Sequence, residues 1–413
     1  MSTNAHSRTL DRMDGRSEII IDLAAVADNV RRFAAMAEVI AVVKANAFGH
    51  GDVRVAHTAM RNGASGLGVT TYHEALGLRR AGITAPILTW LISPGDDHEA
   101  ALAAELDIAV GTLDVLDASA RACVTTRRTA RIHLHVDCGM NREGARSSEL
   151  LPLIHRARAL ERAGLIRVIG LMGHLPDAGL GPEHNDGGLE LFADSYHQAF
   201  VAGLRPEIVH LAATAAALTD WRARSCPHRR HPRNATPQAC DRPGTAPGPR
   251  VAIRIGAGLF GIDPSGTTTL ASALTFRAPV LACHRVSAGG RVGYDGTWQA
   301  QHDTTLALLG CGYADGVPRS LSNRGHVWLA GKQRPIVGRV SMDQTVIDLA
   351  GDTVPPGEIA TLFGHDGIAP TAAQWATWDH TIEHTIVTGI GHRPRRRYRE
   401  EHRDEEAAPW TSQ

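Results

Sequence analysis

Short apolar segments alternate with longer amphipathic stretches between residues 39 and 255. Val39–Val43 is apolar throughout, which is typical of a parallel strand covered by helices on both faces. Seven similar segments follow it: Leu67–Val69, Pro86–Leu91, Ile108–Val110, Ile132–Val136, Val168–Met172, Ile208–Leu211 and Val251–Ile255. Strands alternating with helices in this number predict an α/β fold with a (β/α)8 TIM-type barrel. A doubly wound sheet is the alternative, but no Gly-x-Gly-x-x-Gly motif follows the first strand.

The pattern also predicts how the chain is divided into domains. Met1–Ser17 is polar and lacks the apolar core of a signal peptide, so we expect a disordered extension over residues 1–17. Glu18–Ile21 predicts a strand, and Asp22 is placed to cap a helix that runs to about Ala37. The barrel domain is then expected over residues 18–265.

After Gly261 the apolar segments become short and are separated by turns that contain Gly, Asp or Pro. The segments are Leu274–Val280, Val292–Tyr294, Thr304–Leu309, His326–Leu329, Pro335–Val337 and Val346–Leu349. This pattern predicts a mostly β C-terminal domain over residues 266–398. Arg393–Glu406 mixes arginines with acidic residues, and we expect a solvated tail over residues 399–413.

Residues 221–250 interrupt the barrel pattern with a tract that is rich in Arg and Pro and almost free of aliphatic side chains. Such a tract cannot offset its ordering entropy by burial, so we expect a disordered surface insertion. Nucleic-acid binding is the alternative, but Trp221 is its only aromatic stacking group. Cys226 and His228 match no standard zinc spacing, so we expect no metal site.

The overall composition excludes several classes of protein. The 43 basic and 43 acidic residues balance, which argues against a protein dedicated to nucleic acid or to an anionic membrane surface. No apolar run is long enough to span a membrane. The six cysteines form no CxxC pair, which favours reduced thiols and a cytoplasmic location. Only two of the 43 basic residues are lysines, Lys44 and Lys332.

Lys44 is the strongest candidate for catalytic chemistry. It ends the apolar strand Val39–Val43, at the face where barrels hold their active sites. An ammonium group there is costly unless it is paired, deprotonated or covalently bonded, and a desolvated lysine is a good amine nucleophile. A side chain that simply reaches solvent is the alternative. The apolar strand and the scarcity of lysine favour a lysine that forms a Schiff base.

The segment around Lys44, AVVKANAFGHG (residues 41–51), resembles the cofactor-lysine motif of the alanine racemases, which are fold-type III pyridoxal 5'-phosphate (PLP) enzymes. Further segments resemble this family in the same order: EIIIDLAAVADNV (18–30), HVDCGMNREG (135–144), MGHL (172–175), HLAATAAAL (210–218), RIGAGLFGIDP (254–264), VGYDGTW (292–298), GYADGVPR (312–319) and VGRVSMDQT (337–345). The resemblance implies a racemase that interconverts L- and D-alanine by two-base α-proton transfer, with PLP as cofactor.

The resemblance also implies roles for individual residues. Lys44 would hold the cofactor and act on one face of the substrate α-carbon, and Tyr294 would act on the opposite face. In the family this tyrosine comes from the partner subunit, so a homodimer is implied. Because a phenol normally titrates near 10, Tyr294 needs neighbouring charge to act near neutral pH.

Other implied site residues bind the cofactor or the substrate. Arg254 would face the pyridine nitrogen, where many PLP enzymes place an acid, and His174 would orient that arginine. A guanidinium cannot accept the ring proton, which would favour proton return to the α-carbon over transamination. The remaining implied contacts are Thr214, Gly256 and Ala257 to the phosphate, Arg142 to the cofactor phenolate or the substrate carboxylate, Met342 to that carboxylate, and Tyr313 and His384 to the substrate pocket.

The sequence departs from the family pattern around the cofactor. Phe48 and His384 stand where the family usually has tyrosines, and Ala213 replaces an asparagine. Thr214 replaces a serine, and His135 occupies the position of a lysine that is often carbamylated and supports Arg142. These changes spare the two proposed bases, so we expect PLP chemistry with an altered pocket wall.

Three alternatives to an alanine racemase follow. A racemase for another amino acid would explain the changed pocket residues. A fold-type III decarboxylase shares the barrel, the β domain and the lysine, but GYADG, VSMDQ and Arg254 favour a racemase. A non-catalytic PLP carrier would lack the β domain that holds Tyr294.

Overall fold

The computed structural model describes residues 17–220, 223, 248–364 and 367–400. The chain divides into two compact units. Val26–Ala47 and Gly51–Leu270 form the first, which we call the barrel unit. The described parts of Met1–Ala25, Phe48–His50 and Ala271–Gln413 form the second, which we call the β unit.

The first strand and helix follow the predicted order. β1 (Glu18–Asp22) leads directly into α1 (Leu23–Ala34). Asp22 Oδ1 accepts the backbone N–H groups of Ala24 and Ala25 at 3.0 and 3.1 Å. The predicted cap is therefore confirmed, because these are donors that the first turn of a helix leaves without an intrahelical partner.

Eight parallel strands close into a barrel in chain order. They are β2 (Glu38–Val42), β3 (Ala64–Val69), β4 (Ile87–Thr89), β5 (Asp107–Val110), β6 (Ala130–His135), β7 (Ile166–Met172), β8 (Ile208–His210) and β9 (Arg250–Ile255). The intervening helical segments are α2 (Lys44–Phe48), α3 (Asp52–Arg61), α4 (Tyr72–Arg80), α5 (His98–Ala103), α6 (Leu113–Thr126), α7 (Ser147–Arg162), α8 (Asp186–Val201) and α9 (Thr214–Thr219). The predicted barrel is confirmed, and the doubly wound sheet is excluded.

Part of the barrel interior is apolar. One buried cluster comprises Ile40, Leu88, Ala109, Met172, Ile208 and Ala252, with Trp90 packed against it. Alternate residues of a strand point to the same face, so Arg254 on β9 points inward like Ala252. His133 on β6 pairs with Ala109 and shares its inward direction. Polar side chains therefore also enter the interior, from strands that include β6 and β9.

The β unit is mostly β, as predicted. Its further strands are β10 (Leu274–Val286), β11 (Arg291–Val292), β12 (Trp298–Gln299), β13 (Thr304–Leu309), β14 (His326–Leu329), β15 (Lys332–Pro335), β16 (Thr345–Asp348), β17 (Ile359–Phe363) and β18 (Arg395–Arg399), and its helices are α10 (Ala372–Trp378) and α11 (Glu383–Thr388). The Phe363 ring lies 5.9 Å from Phe276 and 5.1 Å from Trp375, between ring centroids, and anchors the core.

The structure differs from the expected organisation at both ends of the chain. β1 lies between β10 and β18 in the β unit, although we expected the barrel domain to begin at residue 18. An isoleucine-rich strand fits any sheet with an apolar face, so its local pattern could not identify its partners. The predicted strand at Pro335–Val337 instead lies at Lys332–Pro335.

Arg395–Arg399 forms β18, so the polar segment that starts at Arg393 begins as part of the β unit, and the solvated tail expected from residue 399 is wrong for Arg399. The buried Glu18 carboxylate binds Arg397 Nε at 3.0 Å and also pairs with Arg277. This buried anion offers a charge-assisted partner to an arginine-rich strand, which explains why such a polar segment joins the sheet.

Most of the Arg- and Pro-rich tract at 221–250, with Cys226 and His228, lies outside the described residues, as do residues 1–16 and 401–413. The expectations for those segments therefore stay predictions. Among the described helices, none is both long and apolar enough to cross a membrane.

Candidate active site

Lys44 follows the first barrel strand at the carboxyl end of β2. The preceding residue, Val43, donates its N–H to Gly68 O at 2.9 Å, which continues the pairing of β2 with β3 up to the lysine. The Lys44 side chain is half-buried, and its Nζ lies 5.8 Å from the ring centroid of Trp90. The structure thus places the amine at the face of the barrel where active sites form.

The environment of Lys44 shifts its titration towards the neutral form. Burial lowers the pKa of the amine below its usual 10.5, and the positive charges of Arg142 and Arg254 lower it further. Glu143 and Glu74 oppose this shift but do not cancel it. Since a neutral amine is the nucleophilic form, this lowered pKa suits a lysine that bonds to a carbonyl group.

The backbone after Lys44 forms a left-handed turn. Ala45, Asn46 and Ala47 have φ values of 52°, 54° and 52°, and φ of Phe48 is 54°. Consecutive non-glycine residues in this region are costly and persist only when their surroundings hold them. Glu74 is one such support, since its Oε1 accepts the Ala45 N–H at 2.8 Å. Sequence reasoning missed Glu74, because the two residues are 29 positions apart.

Glu74 also closes the capping box of α4. Its Oε2 accepts the Thr70 Oγ1 hydroxyl at 2.6 Å and the backbone N–H groups of Thr70 and Thr71 at 2.9 and 3.1 Å. Burial by itself would raise the pKa of Glu74, but the bonds from Thr70, Ala45 and Thr71 hold it below 4.5. The carboxylate therefore joins the Lys44 turn to the start of α4 in its ionised form.

Replacing Glu74 with glutamine should lower the free energy of unfolding by about 1–3 kcal/mol at pH 7, since an amide has one acceptor oxygen where the carboxylate uses two. A folded-state pKa that is lowered contributes stability above the unfolded-state value, and this stability is lost as the pH falls. The difference between the two proteins should therefore hold at neutral pH and shrink as the pH falls below 4.5. Urea unfolding at several pH values measures it. A constant difference through this range would contradict the role of the charge.

Arg254 is a buried cation that contacts several acceptors. Its side chain lies inside the barrel, and the residue is 4% exposed. One terminal nitrogen contacts His210 Nδ1 at 2.9 Å and His210 O at 2.7 Å. The other contacts Gly173 O at 2.6 Å, His174 Nδ1 at 3.3 Å and Leu211 O at 3.3 Å. The structure thus brings His174 to Arg254, as the sequence resemblance implied.

Burial lowers the pKa of Arg254 to about 10, so the guanidinium remains charged at neutral pH. Burial, followed by the Arg254 charge, lowers the pKa of His174 to about 3 and that of His135 to about 4. Both imidazoles are therefore neutral at pH 7. His135 cannot supply the negative charge of a carbamylated lysine at this position.

Thr214, Gly256 and Ala257 come together at the carboxyl ends of β8 and β9, which pair with each other. Thr214 begins α9, and its Oγ1 accepts the Gly258 N–H at 3.1 Å. A methyl group on Gly258 would stand 2.7 Å from the Phe33 ring, so only glycine lets the backbone approach this closely. Hydroxyl and amide groups here suit a phosphate group.

These barrel residues fit PLP by the chemistry of their donors. Lys44 offers a primary amine, Arg254 a buried cation, and the Thr214 segment neutral donors for an anion. The described ranges contain no group of three or more His, Cys, Asp or Glu residues that could hold a metal ion.

Arg142 lies on the loop that follows β6. Asp137 shapes this loop by accepting the N–H groups of Gly139 and Asn141 at 3.0 and 3.1 Å. The Arg142 side chain is 60% exposed and pairs with Glu143 Oε1 at 3.0 Å. Glu143 was not among the predicted residues, and it partly balances the positive charge around Lys44.

Three predicted residues lie on exposed segments of the β unit. Tyr294, Tyr313 and Met342 are 70%, 43% and 52% exposed. Tyr313 N donates to Ser341 O at 3.0 Å, which pins its segment beside Met342. A methyl group on Gly293 would stand 3.1 Å from the Arg339 backbone nitrogen. The segments that carry the three residues are therefore in contact.

His384 lies on α11 in the β unit and contacts Phe48, with ring centroids 6.0 Å apart. Two of the positions that depart from the family pattern are therefore neighbours. The structure does not test the expected approach of Tyr294 or His384 to Lys44, because these residues belong to different units.

Comparisons with known proteins cover nearly all of the described chain. The family model "Alanine racemase, N-terminal domain" matches residues 21–230, and "Alanine racemase, C-terminal domain" matches residues 273–398. Alanine racemase of Salinispora arenicola is 39% identical over 383 residues, which are 91% of this chain and 96% of that protein.

Solved structures of alanine racemases are also similar to this chain. The crystal structure of alanine racemase from D-cycloserine-producing Streptomyces lavendulae has a TM-score of 0.85 at 35% identity, covering 94% of this chain and 98% of that one. Alanine racemase from Bartonella henselae, solved with covalently bound pyridoxal phosphate, has a TM-score of 0.77 at 25% identity and covers 93% of this chain and 99% of its own. The chain belongs to the alanine racemase family, a family of PLP-dependent isomerases.

Proposed function

We propose that this protein binds PLP and interconverts L- and D-alanine. The main support is the half-buried Lys44 amine at the carboxyl end of β2, whose pKa is lowered by burial and by the charge of Arg142, with a smaller effect from the buried cation Arg254. In the described part of the chain Arg254 forms no ion pair with a carboxylate, and its contacts are to imidazoles and carbonyl oxygens.

Two proton-transfer groups on opposite faces of the substrate α-carbon are needed for racemisation. PLP, when bound, withdraws electrons and makes the α-hydrogen acidic. Lys44 holds the cofactor and moves a proton on one face, and Tyr294 moves a proton on the other. Thr214, Gly256 and Ala257 bind the phosphate.

Arg254 limits the side reaction that competes with racemisation. A guanidinium can donate a hydrogen bond to a ring nitrogen but has no lone pair to share a proton with it. The pyridine ring of the cofactor therefore withdraws electrons less strongly than it would beside a carboxylic acid. This weaker withdrawal favours return of the proton to the α-carbon over transamination. His174 holds the guanidinium in place, and Arg142 and the Met342 backbone bind the substrate carboxylate.

A homodimer completes the site in this proposal. Tyr294, Tyr313 and Met342 are large exposed side chains on segments of the β unit that contact one another, and exposed apolar groups of this kind are typical of interaction surfaces. We infer that each β unit places Tyr294 in the active site of the partner's barrel.

The described cysteines, Cys123, Cys138, Cys283 and Cys311, are free thiols, which supports a cytoplasmic location.

A second candidate is a racemase for another amino acid. The contact between Phe48 and His384 supports it, because both residues replace tyrosines at positions implied to border the cofactor and the substrate. A hydroxyl is lost at Phe48, and an imidazole replaces a phenol at His384. Together they change the hydrogen bonds available to a substrate side chain.

A panel of single-enantiomer amino acids in deuterated water separates these candidates. Alanine should exceed each other substrate by at least about tenfold in kcat/KM, because an extra methylene alone changes fit by that factor. Chiral chromatography and deuterium incorporation at the α-carbon measure the result. A better substrate than alanine would reassign the specificity, and CO2 release would instead indicate a decarboxylase.

A further inference from the structure

A row of buried polar side chains crosses the barrel interior. Asp107 begins β5, His133 lies in β6, His210 ends β8, and Arg254 lies near the end of β9. Their exposed fractions are 6%, 2%, 0% and 4%, respectively. We call these four residues the polar chain. It reaches from the amino end of a strand to the carboxyl ends, where Lys44 lies.

Neighbouring members of the polar chain contact one another. Arg254 approaches His210 Nδ1 at 2.9 Å, and His210 Nε2 lies 2.8 Å from His133 Nδ1. His133 Nε2 makes no hydrogen bond within the described residues, and it lies 3.7 Å from Asp107 Oδ2. Arg131 NH2 donates to the same oxygen at 3.3 Å. The Asp107 carboxylate therefore forms one end of the polar chain, and the Arg254 guanidinium forms the other.

The fold leaves space for the His133 ring in particular. It lies over Gly170 on β7, where a methyl group would stand 2.0 Å from His133 Nδ1 and 2.5 Å from its Cε1. Any larger residue at this position would push the ring away from His210. The glycine therefore seats the imidazole that joins Asp107 to His210.

The two ends of the polar chain determine where its protons lie. A guanidinium can only donate hydrogen bonds, so His210 Nδ1 must be the acceptor and His210 must carry its proton on Nε2. That N–H donates to His133 Nδ1, which leaves the His133 proton on Nε2, facing Asp107. A carboxylate can only accept, so it matches this order of donors.

The charge states agree with this arrangement. Burial, the Arg254 charge and His133 lower the pKa of His210 well below 6.5, so His210 is neutral. Burial alone would raise the pKa of Asp107, but His133 and Arg131 hold it below its usual 3.8. Asp107 is therefore an anion that can only accept.

We propose that Asp107 and His133 are positioning residues which, through the proton on His210, hold Arg254 in its place beside the cofactor ring. With the opposite proton order, His210 would point an N–H at the guanidinium, and the buried cation would lose an acceptor. The inference deepens the proposed function, since it rests on Arg254 facing the ring.

The first test uses cofactor-free protein and the ring-nitrogen NMR signals of 15N-labelled histidine. In the wild type the His210 proton should lie on Nε2, and His133 Nδ1 should accept its hydrogen bond. Asp107→Leu removes the carboxylate that faces His133 Nε2. The His210 nitrogen signals should then move towards those of a mixture in which the His210 proton lies on either Nδ1 or Nε2. His98→Asn is the control: it removes another buried barrel histidine, bonded to Tyr72 and Ser119, and should leave His210 unchanged.

The second test measures PLP binding by titration of the same variants. Asp107→Leu should weaken binding by about tenfold and shift the visible absorption band, because a hydrogen bond to a charged group is disturbed. His98→Asn should change neither. Unchanged His210 signals in folded Asp107→Leu protein would overturn the proposal. Changed signals with unchanged PLP affinity and spectrum would show that the link to the cofactor is wrong. Failure of the wild type to bind PLP would instead refute the proposed function.

Two further variants keep the test decisive if Asp107→Leu does not fold. Asp107→Asn preserves the shape of the side chain and keeps one acceptor oxygen, but its amide group can also donate a hydrogen bond. It should therefore shift the His210 signals in the same direction as Asp107→Leu, but by a smaller amount. Gly170→Ala displaces the His133 ring without removing a polar group and should weaken PLP binding as well. If both variants fold and leave His210 and PLP binding unchanged, the proposal is wrong.

Discussion

Replacing Lys44 with alanine should lower racemase turnover by at least about 10⁴-fold, because in the proposed mechanism one side chain both holds the cofactor and transfers a proton. The structure supports this double role: the amine is half-buried at the carboxyl end of β2, and its pKa is lowered. Initial rates in both directions, with PLP in excess, measure the effect. Turnover within tenfold of the wild type would remove Lys44 from the mechanism.

The chain provides a matched control for this variant. Its only other lysine, Lys332, lies in the β unit, where it pairs with Asp352 at 2.7 Å and its side chain is 62% exposed. Lys332→Ala should keep full activity. Borohydride treatment of the wild type should attach the cofactor to the peptide containing Lys44 and leave the Lys332 peptide unmodified, as read by mass spectrometry.

Mixing two inactive variants should restore activity if each site uses residues of both subunits. A heterodimer of Lys44→Ala and Tyr294→Phe chains would carry one site with both changes and one intact site. Random pairing makes half of the dimers heterodimers, so about a quarter of wild-type activity should return. Co-expression with two affinity tags, followed by rate measurement on the doubly tagged fraction, gives the value per heterodimer.

The control for this experiment pairs two barrel residues. Lys44→Ala mixed with Arg254→Ala should restore nothing, because each change disables the site of its own subunit. If the Tyr294→Phe mixture also restores nothing while heterodimers form, Tyr294 acts within its own chain. That outcome would contradict the shared site.

The local pattern was sufficient to predict the barrel and to name the candidate cofactor residues. Five apolar residues before Lys44 indicate a buried strand, and the collinear motifs carry Thr214 and Arg254. Glu74, Glu143 and Asp107 carry no such local signal. Glu74 and Asp107 act through contacts with residues on another loop or strand, and Glu143 acts through its charge on Lys44, which is far away in sequence. A single sequence does not encode which of its many acidic residues will be that neighbour.

The sequence by itself determined the order of strands and helices, the barrel and the candidate cofactor lysine, because hydrophobic period and short motifs are local properties. Only the tertiary structure decided that β1 joins the β unit, that Glu74 holds the left-handed turn after Lys44, and that a polar chain links Asp107 to Arg254. The last two depend on contacts between residues 29 and 77 positions apart, which form only when the barrel closes.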